Sequence, residues 1–216
     1  MRRDTAQTRD RLLDAAGRLL ADRGTAFTLP DLARVAGVAT ATVYRHFADV
    51  HDIHREFYYR LIGELVDDLE KISAEAHGRQ RFEAVCARWS DLAASWGRAA
   101  THIRSAEGFL ERVGRGDPPT TALYGALAPV IEELVTENVV PEQNVEYAVL
   151  LWVTIFDERV IVDLSTTLGW PPRRIGHALA QTTLAALTQT GSGDDPSSRA
   201  NHLCPRPRDR GATEDM

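Results

Sequence analysis

The stretch from Phe27 to Phe47, FTLPDLARVAGVATATVYRHF, leaves its backbone few choices. Thr28 suits a helix N-cap, because its hydroxyl can accept from a free amide of the first turn. Pro30 falls inside that turn, where a missing N–H costs little. Asp31 places a negative charge at the positive end of the helix dipole. Leu32 and Val35 are three apart and share a face. Gly37 suits the left-handed backbone that ends a helix. The pattern predicts that Val38 opens a second helix, with Val43 and Phe47 on its buried side. Thr40, Thr42, Arg45 and His46 then face outward, with Tyr44 at the edge. Two short helices around a glycine turn form a helix-turn-helix, whose second helix is shaped to enter a DNA major groove.

The flanks support this assignment. TRDRLLDAAGRLLADRG precedes the stretch and predicts a helix from about residue 5 to 22. Its Leu12, Leu13, Ala16, Leu19 and Leu20 form an apolar stripe. Arg2, Arg3 and Arg9 lie near its start, either as an arm that reaches phosphate or as a solvated terminus. Residues 1–60 hold ten Arg and eight Asp or Glu, a balance of +2, within a chain of net charge −6. A cationic head on an anionic body is what a DNA-facing end needs.

These segments closely resemble the DNA-binding domain of the TetR family of transcriptional regulators over about residues 5–57. The pieces that carry the likeness are LLDAAGRLLADRG, then T-L-x-D-L-A-x-x-A-G-V, then Val43-Tyr44-Arg45-His46-Phe47. The resemblance implies a repressor that binds a palindromic operator as a homodimer and answers to a small-molecule effector. It also implies that Thr28, Tyr44 and His46 hold phosphate, while Thr40, Ala41 and Arg45 face bases. Thr42 adds a hydroxyl suited to phosphate. Arg45 is the candidate for guanine, since its fork matches O6 and N7. One departure stands out: Val50 replaces the lysine that many relatives carry at the start of the fourth helix. Fewer charged contacts to the DNA backbone are expected there, although the helix N-terminus can itself hold phosphate.

Beyond the head the chain reads as all-α. The expected organisation is a helix-turn-helix domain over 1–49, a helical ligand-binding and dimerisation domain over 50–190, and a disordered tail over 191–216, rich in Gly, Pro, Ser and charge. A long fourth helix over 50–77 carries Ile53, Phe57, Leu61, Leu65 and Leu69 at every fourth position and ties head to body. Further helices are expected over 80–100, 101–113, 120–137 with a kink at Pro129, 141–168 opened by Pro141, and 173–189. The last two carry apolar residues nearly all round, as helices covered on every side do. A second copy would supply the cover, and TetR-like proteins dimerise through their last two long helices. A monomeric helical core is the competing reading.

The resemblance places an effector pocket among the middle helices. Trp89, Trp96, Phe109, Tyr124, Trp152 and Phe156 are candidate linings, with His102 and Asp157 as polar anchors. Such walls fit a small apolar or aromatic ligand, though rings like these also serve as ordinary core. His46, His51 and His54, with Asp49 and Asp52, invite a metal reading, but zinc wants three or four converging ligands. The sequence implies no metal and no cofactor. It holds no phosphate loop, GxSxG or HExxH, so no enzyme is expected. A ligand-binding module whose head has lost DNA binding is the main alternative. No apolar run of about 18 residues marks a membrane span. The N-terminus lacks the apolar stretch of a signal peptide. Two cysteines, Cys86 and Cys204, suit reduced thiols and a cytoplasmic location.

Overall fold

The computed structural model describes residues 2–103 and 107–190. The expected tail over 191–216, with Cys204, lies outside the described residues. Among those described, every regular element is a helix: α1 (Arg2–Arg23), α2 (Leu29–Ala36), α3 (Thr40–His46), α4 (Val50–Glu75), α5 (Gly78–Trp96), α6 (Arg98–Thr101), α7 (Phe109–Gly114), α8 (Pro118–Thr136), α9 (Val145–Ile155), α10 (Glu158–Thr166) and α11 (Pro172–Thr190).

Two cores result. The head core gathers Leu12, Leu20, Leu32, Val43 and Phe47 with Ile53, Phe57 and Leu61 of α4, and Ala99 and Ala100 of α6. The body core holds Leu65 and Leu69 of α4 together with Phe82, Trp89, Trp152, Phe156 and residues of α8 and α11. The predicted stripe on α4 is therefore one continuous ridge serving both cores. Each fully buried Leu or Phe on it contributes roughly 1.5–3 kcal/mol by leaving water. Trp96 is partly buried and packs against both cores.

The sequence reading missed several boundaries. α3 begins at Thr40, two residues after the expected Val38, and its N-cap Ala39 offers no side-chain bond. The helix expected over 101–113 does not form as one element. Gly97, at φ 56 and ψ −145, ends α5 and caps the one-turn α6. α7 starts only after Gly108. The helix expected over 141–168 starts instead at Val145, because Asn144 Oδ1 accepts from the Tyr147 amide at 2.7 Å. It then breaks at Phe156, where the Asp157 carboxylate caps α10. Pro141 thus opens no helix.

α11 lies against α5 closely enough to need a glycine. A Cβ on Gly176 would stand 3.1 Å from Ala87 Cα and 3.3 Å from the Cys86 carbonyl. In the single chain, α9 to α11 bury one side, while Tyr147, Val160 and Leu168 remain exposed. The near-complete covering expected for these helices is therefore absent within one copy.

Candidate functional site

The convex side of the head is built from its caps outward. Thr28 Oγ1 accepts from the Asp31 amide at 3.3 Å, and the Asp31 carboxylate accepts from the Thr28 amide at 3.1 Å. The Thr28 hydroxyl also donates to Asp31 at 2.6 Å. These bonds, the Thr28 hydroxyl's first, together with Arg34, lower the Asp31 carboxyl pKa to about 2. Thr28 is thus fully engaged as a cap, and meeting a phosphate through its hydroxyl would mean giving up a cap bond. Gly37, at φ 66, closes α2 and turns the chain into α3.

α3 presents Thr40, Ala41, Tyr44 and Arg45 to solvent, with Thr42 and His46 half-buried. Tyr44 is 58% exposed, an uncommon cost for an aromatic side chain with no partner to cover it. Arg45 Nη2 donates to Thr42 Oγ1 at 3.0 Å, which lays the guanidinium along the helix face. The His46 ring packs 6.4 Å from Phe47. Arg9 is not a free arm: it pairs with Glu56 at 2.7 Å and stands 5.1 Å over the Phe47 ring. Arg2 and Arg3 belong to α1.

The start of α4 is less hospitable to phosphate than the sequence suggested. Asp49 Oδ1 accepts from the Asp52 amide at 2.8 Å. Asp52 Oδ2 accepts from the Ala48 amide at 3.1 Å, and Asp52 also pairs with Arg55. Two carboxylates already occupy the positive end of this helix dipole, where an anion would otherwise sit.

The eight expected ligand residues do not converge. Trp152 and Phe156 are fully buried core, with rings 4.7 Å from Phe82 and 5.2 Å from Trp89 respectively. They fill volume rather than line a cavity. Tyr124 is half-buried against the same core, and Trp96 sits at the junction of the two cores. His102 lies in a groove of about 490 Å³ between head and body, with Thr25, Phe27, Val50, His51, His54 and Ile103. There burial, then the neighbouring His51, pull the His54 imidazole below its usual pKa. Asp157 pairs with Arg159 at 2.8 Å. Among the described residues no group of three or more His, Cys, Asp or Glu is placed to hold a metal.

Only Trp89 and Phe109 line the chamber inside the body, which measures about 100 Å³. Its other walls include Tyr58, Ile62, Arg112, Leu123, Val153 and Glu158. Tyr58 and Arg112 also face an outer groove of about 250 Å³. Arg112 is the group sequence reasoning missed. Its side chain is only 11% exposed and meets Asp117 at 2.7 Å and the Tyr58 hydroxyl at 3.3 Å. Burial works against its charge, but Tyr58 and Asp117 outweigh that and hold its pKa above the ordinary value. Burial likewise works to raise Asp117, yet bonds from Thr120 and Arg112 keep its carboxyl below the ordinary range. Tyr58 and Arg112 stand 54 positions apart, and no local pattern joins them.

A helical chain with a capped helix-turn-helix head has the build of a helix-turn-helix regulator. Residues 12–52 match the family model described as "Bacterial regulatory proteins, tetR family". The head is thus similar to the N-terminal domain of that family. The fold is similar to the fatty acid degradation regulator FadR from Bacillus halodurans (TM-score 0.70, 18% identity, 83% of this chain and 96% of that one). It is similar to FadR from Bacillus subtilis, solved in complex with stearoyl-CoA (TM-score 0.67, 18% identity, 81% and 97%). A TetR family transcription regulator from Marinobacter aquaeolei VT8 is also similar (TM-score 0.62, 16% identity, 87% and 98%). No curated protein matches the chain by sequence. Among the described residues no helix is long and apolar enough to cross a membrane.

Proposed function

We propose that the protein is a ligand-responsive, sequence-specific transcriptional repressor that binds a palindromic operator as a homodimer in the cytoplasm. The observation that carries this reading is the solvent-facing side of α3, where Thr40, Ala41, Tyr44 and Arg45 stand exposed on a rigid, capped support. Thr40, Ala41 and Arg45 read bases, while Thr42, Tyr44 and His46 hold the phosphate backbone and fix the register. Thr28 contributes mainly by fixing α2. Two heads meet successive major grooves roughly 34–36 Å apart. The dimer forms through the outer sides of α9–α10 and α11, and a second copy would cover the exposed Tyr147 of α9, Val160 of α10 and Leu168 just beyond α10.

The effector enters the chamber beside Trp89 and Phe109 and changes how the body packs on α4, which carries the change to the head. DNA affinity then falls because the ligand binds one head spacing better than the other. Acyl-CoA thioesters are the first probes, given the stearoyl-CoA bound by the Bacillus subtilis relative. The chamber's small volume favours short chains or small aromatic groups.

The test is selection from a random duplex pool at two salt concentrations. A recovered palindrome with salt-sensitive affinity is expected. Salt-sensitive binding with no preferred sequence would remove the sequence-reading role. No binding at either salt would favour a ligand-binding module without DNA, the reading suggested by Val50 and the carboxylates Asp49 and Asp52 at the start of α4.

A further inference from the structure

We infer that Tyr58, Arg112 and Asp117 form the relay through which the chamber is read by the helix that carries the head. The inference rests on the regulator reading above and names its regulatory residues. Tyr58 belongs to α4, Arg112 to α7, and Asp117 is the N-cap of α8. One guanidinium therefore ties the head-bearing helix to two body elements. Its Nη1 donates to the Tyr58 hydroxyl at 3.3 Å, and its Nη2 donates to Asp117 at 2.7 Å. The guanidinium carbon also stands 5.0 Å from the centre of the Tyr58 ring, within cation–π range. Asp117 continues the chain by accepting from the Thr120 hydroxyl at 2.5 Å.

The location decides the role. Arg112 and Tyr58 are walls of both the inner chamber and the outer groove, so the relay is the partition between them. A ligand passing from groove to chamber must touch it. An arginine has five N–H donors, and the bonds to Tyr58 and Asp117 leave donors for a third acceptor. Trp89, another wall of the chamber, has its Nε1–H buried with no acceptor among the described residues. A buried donor in want of an acceptor, beside a guanidinium with donors to spare, calls for a ligand carrying one, a carbonyl above all, since the Glu107 and Glu158 carboxylates also wall the chamber. Its acceptor competes for the Arg112 guanidinium, and the bond that weakens is the longer one, to Tyr58 on α4. The chemistry of binding is thereby converted into a displacement of α4 against α7 and α8.

The test uses the full chain with Tyr58→Phe, Arg112→Met, the double variant and Arg112→Lys, each confirmed folded by its melting curve. Affinity for the selected operator is measured with and without a chain-length series of acyl-CoA thioesters. Each single variant is expected to change ligand-free operator affinity at least fivefold, both in the same direction. The double variant should go no further than the larger single effect, because both changes break one bond. Arg112→Lys should fail to restore affinity, since an ammonium cannot bridge Tyr58 and Asp117 as a planar fork does. Unchanged affinities, or effects that multiply in the double variant, would overturn the relay and leave the regulator reading standing. If no operator exists, the regulator reading fails by itself. The relay is then judged by spin labels at Arg18→Cys and Thr121→Cys in a Cys204→Ser background. A head-to-body distance that shifts alike in both single variants supports it, and one that stays put refutes it.

Discussion

Head and body solve opposite problems with the same element. The head turns the polar and aromatic side chains of α3 outward, over a core of its own. The body turns its tryptophans and Phe82 and Phe156 toward its core and leaves a small chamber between helices. In the head, polar and aromatic groups are conspicuous because they are exposed: Tyr44 has no structural task that would explain its position. In the body, Trp152 and Phe156 look like binding residues in sequence and are structural in fact. Burial among other rings explains Trp152 and Phe156 by packing alone, and no such packing explains Tyr44.

That contrast can be broken most forcefully at Trp152. Trp152→Ala is expected to cost about 3–5 kcal/mol, because the cavity lies among rings that cannot collapse into it. Thermal unfolding would show it as a large drop in melting temperature. Next comes Arg45→Ala, which should lose about 1–3 kcal/mol of discrimination at one operator position with an unchanged melting curve. Repeating the DNA selection with the variant checks this, and an unrelaxed motif would mean that Arg45 does not read a base. Gly176→Val should cost about 1–3 kcal/mol by forcing α11 away from the Ala87 backbone. Denaturant titration would detect it.

Smaller and confined to the head are the titrations. Asp31 has a lowered folded pKa, so its contribution to the α2 cap is present above its ordinary value of 3.8 and is lost as pH falls toward about 2. His54 also has a lowered pKa, but as a base: the unfolded chain takes up its proton first, so stability falls as pH drops below the ordinary 6.5. Acid titration followed by hydrogen exchange in α2 and around His54 should resolve the two windows. Thr28→Ala should remove about 0.5–2 kcal/mol by the same cap, and Asp31→Asn should abolish the lower window.

The head was legible because its signals are local. Thr28, Pro30, Asp31 and Gly37 fix α2 within ten residues, and the ridge from Ile53 to Leu69 is a strict four-residue repeat. The body chamber was not legible because it is assembled from α4, α5, α7, α8, α9 and α10. Asp117 before Pro118 does carry a helix-start signal, but nothing near it announces a partner in Arg112. The split between α9 and α10 was hidden for another reason. Its apolar pattern runs on through Phe156, and only the capping carboxylate of Asp157 marks the break.

The two alanines that α6 lends to the head core have a practical consequence. Ala99 and Ala100 are nearly fully buried against helices that lie far earlier in the chain, and His102 stands beside Gly24. The head is therefore not a cassette that can be cut at residue 49 and grafted onto another body. A chimera made there would leave a hole where α6 belongs and would strip Ile53 and Phe57 from their neighbours. On the proposed reading, an exchange of DNA specificity needs a graft of the outward side chains of α3 alone, leaving the seam between the two cores intact.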